Sequence, residues 1–153
     1  MDIYDKKFQR YLLGEALKGK TALRDTLDPK TDETVWLSDG KVIKGIHKDD
    51  SYILLERFNL ASLIYRTYSD IEEIPEPYNY CKLQGIKNLC LKVNDSLFID
   101  TKYLGFFDMN KSTLYSTKEN IILVTEDDRV TGAILGIKGK EMEWCFIIEL
   151  ISH

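Results

Sequence analysis

The sequence predicts an α+β fold, with N-terminal helices packed on a mainly antiparallel, C-terminal β-sheet. Three observations predict it. Helical spacing marks the half at about 1–72, short apolar runs dominate 81–153, and a Pro-containing connector at 73–80 separates the two. Strands joined in sequence by short turns pair antiparallel. Helices first and strands later, without βαβ alternation, is the α+β pattern. The chain has 153 residues, the size of one domain and enough to bury a core without staples. Residues 1–153 are therefore read as a single domain.

Residues 3–17 read as the first helix. Tyr4, Phe8, Tyr11, Leu12 and Ala16 recur at helical spacing, and Leu13 and Leu17 are further candidates for the buried stripe. Asp2 or Asp5 caps its start and Gly19 stops it. Gly14 costs up to about 1 kcal/mol relative to Ala. Residues 28–34 form a polar loop. Thr34–Leu37 and Lys41–Ile43 flank Ser38-Asp39-Gly40, a hairpin signal, because Asp-Gly supplies the positive φ of a tight turn. A second helix is expected after Asp49-Asp50-Ser51, with Leu54, Phe58, Ala61, Tyr65 and Tyr68 as its stripe. The alternative is a strand at 52–56 and a helix capped from Asn59.

Pro75 and Pro77 restrict themselves and their predecessors, so 72–80 is extended. Strands are expected at 88–93, 96–100, 103–108, 120–125, 130–137 and 141–151. Asn94-Asp95, Glu126-Asp127-Asp128 and Lys138-Gly139-Lys140 punctuate them as turns. In the last run Met142, Trp144, Phe146, Ile148 and Leu150 share one parity, while Glu141, Glu143 and Glu149 take the other. That gives an oily face and an acidic face. A connection at 138–140 would set Gly132 against Phe146, Ile134 against Trp144 and Arg129 against Glu149. Trp144 and Phe146 are then buried, and Glu143 and Glu149 solvated.

The formal net charge is −4, and Arg10, Arg24, Arg57, Arg66 and Arg129 are the only arginines. Both facts lower the expectation of a nucleic-acid partner, which is held by basic surface and bidentate Arg. Cys81, Cys90 and Cys145 show no CxxC spacing, so free thiols are expected, with Cys145 buried. The chain shows no charged-then-apolar leader and no apolar run of roughly 18–20 residues. A reduced cytoplasmic setting without membrane contact is the expectation. The abundance of Lys, Ile, Tyr and Asn suggests an AT-rich coding genome, as in low-GC bacteria and their phages.

Glycine-rich phosphate loops of the GxxxxGK[ST] and GxGxxG types are absent. Leu97-Phe98-Ile99-Asp100-Thr101-Lys102 resembles the second half of the core motif of PD-(D/E)XK nucleases. The resemblance implies that Asp100 helps to hold Mg²⁺ and that Lys102 steadies charge developing on phosphate. It covers three residues. The family's first acidic residue should lie on a separate strand end upstream, whereas Asp95 is only five residues away and Glu72, Glu73 and Glu76 sit in or beside the Pro-rich segment. The plainer reading is an ordinary surface Asp and Lys at a strand end.

His47-Lys48-Asp49-Asp50 offers one imidazole and two carboxylates, but the only other histidine is His153. A capping Asp and a loop His account for the segment more simply. Val124–Gly132 is similar to the mid-sheet hairpin of GNAT acetyltransferases. That family continues into a Gly-rich pyrophosphate loop, and the 21 residues after Gly132 contain none, so the match is set aside. Tyr78 and Tyr80, on the extended segment, can supply an aromatic recognition surface. Tyr65 and Tyr68 fall on the helical stripe and read as core.

The function expected is that of a small cytosolic, non-enzymatic interaction protein that covers a partner protein's surface. An inhibitor, immunity or anti-defence protein of bacterial or phage origin is its most concrete form. Its binding residues would be Glu141, Glu143, Glu149, Tyr78 and Tyr80, with no cofactor and no metal. The alternative is a nucleotide- or nucleic-acid-acting domain, or a metal-dependent nuclease using Asp100 and Lys102.

Overall fold

A computed structural model describes residues 2–20, 23–27, 33–51, 56–57, 64 and 71–139. The α+β class holds, with one N-terminal helix and two mainly antiparallel sheets. Helix α1 spans Ile3–Leu17. Asp2 caps it by accepting the Asp5 N–H at 2.8 Å. Gly19, at φ 74°, ends it in a left-handed turn, with Gly19 N–H to Ala16 O at 3.0 Å and Lys20 N–H to Glu15 O at 2.9 Å. Phe8 and Leu12 are fully buried, as their spacing predicted, whereas Leu13 and Leu17 face outward.

The strands are β1 Leu23–Leu27, β2 Thr34–Ser38, β3 Val42–His47, β4 Glu56–Arg57, β5 Glu72–Glu73, β6 Asn79–Cys81, β7 Cys90–Lys92, β8 Leu97–Asp100, β9 Ser112–Ser116, β10 Ile121–Glu126, β11 Arg129–Leu135 and β12 Ile137–Lys138. A short helix, α2, spans Thr101–Leu104. The larger sheet has the order β4-β1-β2-β3-β11-β10-β9-β5, and the smaller the order β12-β8-β7-β6. Every pairing is antiparallel except β1 with β4. The Pro-containing connector runs from β5, on the edge of one sheet, to β6, on the edge of the other.

The main core lies on one side of the larger sheet. Phe8 and Leu12 of α1 meet Val35, Leu37, Val42, Ile46, Ile122, Val124 and Ile134 of the sheet, together with Leu91, Leu97 and Ile99 of the smaller sheet. The opposite side of the larger sheet buries Trp36, Ile43, Ile64, Ile121, Leu123 and Ala133. Its central strands are therefore covered on both faces and read as continuous apolar runs rather than alternations. The far face of the smaller sheet buries Cys81, Leu83, Cys90 and Phe98.

The hairpins expected at Asp39-Gly40 and Asp127-Asp128 form. Asp39 Oδ1 accepts the N–H groups of Lys41 and Val42, both at 2.8 Å, and Gly40 takes φ 92°. Asp127 and Asp128, at φ 52° and 60°, close a two-residue turn between Glu126 and Arg129.

Four expectations are corrected. The single helix expected after Ser51 does not hold, since Glu56–Arg57 is a strand beside β1; Ile64 is helical, and the stripe residues Leu54, Phe58, Ala61, Tyr65 and Tyr68 all lie outside the described residues. The strand expected at 103–108 is instead α2 and the turn after it, because Asp100 caps a helix there. Strands β1 and β9 were not anticipated; Ser112–Ser116 carries a single aliphatic residue and forms because β10 supplies its partner. Finally, the two halves are not separate layers, because β3 from the first half is hydrogen-bonded to β11 from the second.

The second strand of the hairpin expected between 130–137 and 141–151 lies outside the described residues. Gly132, Ala133 and Ile134 already pair with Lys44, Ile43 and Val42 on one side and with Val124, Leu123 and Ile122 on the other. Both hydrogen-bonding edges of this stretch of β11 are thus occupied, by β3 and β10. Residues 140–153, including Glu141, Glu143, Glu149 and Cys145, lie outside the described residues.

Candidate functional site

The site begins with an interruption inside the larger sheet. The register between β3 and β11 runs Val42↔Ile134, Ile43↔Ala133, Lys44↔Gly132 and then stops, although both strands continue. Its cause lies on the other edge of β11. Val124 pairs with Gly132 but Thr125 pairs with Val130, so Thr131 is an extra residue. A β-bulge of this kind bends the strand and increases its twist. It turns residues 129–131 away from Gly45, Ile46 and His47, and a cleft of about 520 Å³ opens between them.

Gly45 lines this opening, and Gly132 stands at the end of the β3–β11 ladder beside it. A Cβ on Gly132 would collide with the Ile43 carbonyl and the Phe107 ring. Gly45 lies against the Trp36 ring, its cross-strand partner. The N-terminal turn of α1 contributes Asp2, Tyr4 and Asp5 to the walls.

Lys44 forms the buried floor, with a relative exposure of 6%. Its Nζ lies 2.8 Å from Asp5 Oδ1 and donates to the Phe106 carbonyl at 2.7 Å. The rings of Tyr4 and Phe107 lie 5.8 Å and 5.5 Å from the ammonium. Desolvation pushes the Asp5 carboxyl above its ordinary 3.8, against the hydrogen bond and charge of Lys44, which draw it down; Asp2 and Asp50 push it further up.

The lining is strongly acidic. Asp2, Asp5, Glu33, Asp108, Glu126 and Asp128 contribute six carboxylates, against the cations Lys44 and Arg129, with His47 at the margin. The excess of four negative charges equals the formal charge of the whole chain. Since Lys44 is already matched to Asp5, a ligand entering the cleft meets a negative field with apolar walls from Trp36, Ile46 and Phe107.

The sequence motifs fall elsewhere. Asp100 is 8% exposed and is no surface residue. Its Oδ1 caps α2 by accepting the Lys102 N–H at 3.0 Å, and its Oδ2 accepts from Asn88 Nδ2 at 3.3 Å. Lys102 is exposed, with its ammonium 5.0 Å from the centre of the Tyr103 ring. Tyr78 is half-buried, and burial pushes its phenol up, with Glu76 adding to the shift. Tyr80 is 51% exposed. None of these four lines the cleft.

His47 ends a strand rather than lying in a loop. Its Nδ1 accepts the Asp49 N–H at 3.2 Å, and its carbonyl accepts the Asp50 N–H at 2.9 Å. Among the described residues, no group of three or more His, Cys, Asp and Glu is placed to hold a metal ion.

The reading of the sequence missed Lys44 and Asp5. A signal was present. Val42, Lys44 and Ile46 share one parity of β3, and Val42 and Ile46 enter the main core. A lysine in register with buried aliphatics implies a partner carboxylate. Compared with protein-family models, curated proteins and solved structures, the chain matches none.

Proposed function

We propose that this chain is a non-enzymatic interaction protein that covers a partner protein's surface, gripping a basic patch in the acidic cleft between β3 and β11. An inhibitor, immunity or anti-defence protein of bacterial or phage origin, acting in the cytoplasm, is the most concrete form of this reading. The observation that carries it is the charge imbalance of the cleft: six carboxylates against one lysine, already paired, and one arginine. A Lys or Arg side chain of the partner would enter a negative field between apolar walls. Such complementarity accelerates encounter and fixes register.

Glu126 and Asp128 are the residues to change, because they stand at the β10–β11 turn, outside the main core. Affinity capture from the native host is compared for the wild-type protein and Glu126→Lys/Asp128→Asn, with Asn at 128 because that position holds φ 60° and Asn tolerates it. The reading expects a captured protein whose purified form binds more weakly as salt is raised and loses the reversed variant, while that variant's Tm is preserved. Capture unaffected by the reversal refutes it. A Tm that rises only with divalent cations or nucleotides supports the nucleotide-acting alternative instead.

A further inference from the structure

Among the described residues, the outward face of α1 takes no part in the core, or in the cleft beyond its first turn. Ile3, Lys6, Arg10, Leu13 and Leu17 follow one another at steps of three, four, three and four, so they form one line along the helix. Ile3 is 73% exposed, Leu13 45% and Leu17 81%. Lys6 and Arg10 are exposed between them, and the line contains no carboxylate. The two acidic residues within α1, Asp5 and Glu15, lie off this line. The helix is thus apolar on two sides. The buried side is explained by Phe8 and Leu12; the other enters no core cluster among the described residues.

Gly14 is an independent sign on the same face. It lies mid-helix, where glycine is unfavourable relative to alanine. A Cβ there would meet nothing within 4 Å, so nothing among the described residues requires its absence. A side-chain-free position between Arg10 and Leu17 lets another backbone come close.

We propose that this face docks an acidic amphipathic helix of a partner protein. Its apolar residues would pack on Ile3, Leu13 and Leu17, its carboxylates would meet Lys6 and Arg10, and its backbone would approach at Gly14. The line is about 21 Å long at 1.5 Å per residue, the length of four turns of a partner helix. A second copy of this chain is a poor occupant, since it would set Lys6 and Arg10 against themselves. An anionic bilayer is disfavoured because the acidic cleft adjoins the start of α1, and because one line of three aliphatics gives little to insert.

The test uses the full chain and a fluorescein-labelled synthetic helix with Leu at i, i+3, i+4 and i+7 and Glu on both flanks, read by anisotropy. Saturable binding is expected. It should weaken about tenfold or more in Leu13→Gln/Leu17→Gln, exposed changes that leave the melting curve in place. Arg10→Glu should weaken it and remove part of its salt dependence. Gly14→Ala should raise Tm, and Gly14→Gln should weaken binding. Glu126→Lys/Asp128→Asn should leave it within about twofold, which separates this face from the cleft. Absence of saturable binding, or equal affinity in the Leu13/Leu17 variant, overturns the proposal. Partition into phosphatidylcholine vesicles with about a third phosphatidylserine, lost in that same variant, also overturns it and assigns the face to a membrane.

Discussion

Lys44 Nζ lies 2.8 Å from Asp5 Oδ1, and this contact ties the first turn of α1 to the middle of the larger sheet. It stands where the β3–β11 ladder ends, at the Lys44↔Gly132 pair. Both side chains are largely withdrawn from water, at 7% and 16% exposure. Removing two charges from water is costly, and their attraction need not repay it. The upward displacement of Asp5 says that desolvation outweighs the attraction here. The pair closes the floor of the cleft, and on this balance it is expected to add little to the stability of the fold.

The pair should therefore be replaceable. Asp5→Leu/Lys44→Met keeps the volume and removes both charges. Chemical denaturation should show stability changed by about 2 kcal/mol or less in either direction, the gain from removing two buried charges being set against the Phe106 carbonyl that loses its Lys44 donor. A loss of several kcal/mol would show that the ion pair is net stabilising.

The pH dependence follows from the same displacement. A carboxyl raised in the folded state favours the protonated native form. Its contribution is fully present below the ordinary value of 3.8 and is lost as pH rises through the folded value. This component should vanish in Asp5→Leu/Lys44→Met. It should steepen in Lys44→Met alone, because the group that draws Asp5 down is gone. Melting across the acid range tests both slopes, and a wild-type contribution that grows with pH would reverse the assignment.

Gly132 sets the shape of the cleft by close approach. Gly132→Ala would press a Cβ on the Ile43 carbonyl, a backbone atom that cannot rotate away, and on the Phe107 ring. Overpacking of this kind costs about 1–3 kcal/mol. The predicted loss of Tm should be absent in Gly14→Ala, where nothing lies within 4 Å. Equal behaviour of the two variants would mean that β11 can shift freely.

What the sequence made legible followed from local chemistry. Asp2 and Gly19 bound α1, and Asp39-Gly40 and Asp127-Asp128 turn the chain, because each supplies a cap or a positive φ that few residues supply. Long-range pairing was not legible. The insertion of β3 beside β11 depends on partners far apart in the chain. The acidic cleft escaped notice for the same reason, since its walls come from α1, β2, β3, β10 and β11. Leu13 and Leu17 were counted toward the buried stripe because spacing alone cannot tell a core face from a docking face.

The thiols make a separate prediction. Cys81 and Cys90 are buried and unoxidised, and they stand opposite each other on β6 and β7. Burial pushes the Cys90 thiol up to about 11 from 9.0, with Asp100 adding to the shift. Only the thiolate reacts quickly, so alkylation of Cys90 at neutral pH should be negligible until the protein unfolds. The group also favours the native state below 9.0, and that contribution is lost as pH rises through about 11. Intact-mass measurement after alkylation with and without denaturant checks the first point. A rapidly labelled native Cys90 would contradict the burial.

Asp100 separates the structural reading from the nuclease resemblance. Its Oδ1 takes the Lys102 N–H at 3.0 Å, satisfying one of the orphan donors of α2. An Asn can accept that same bond, since Asn and Asp are equivalent caps. Asp100→Asn keeps the cap but loses the Oδ2 acceptor for Asn88 Nδ2, so it should cost about 0.5–1.5 kcal/mol, and Asp100→Ala, which loses both bonds, about 1–3 kcal/mol. If Asp100 is only a cap, both variants retain partner binding in proportion to the folded fraction. If it instead helps to hold a divalent cation, Asp100→Asn removes a charged ligand and abolishes activity with the fold intact. The measurement is therefore paired: denaturation to confirm the small loss, and nuclease and partner-binding assays on the same folded sample. Loss of a metal-dependent nuclease activity in Asp100→Asn, with the fold intact, would displace the interaction reading.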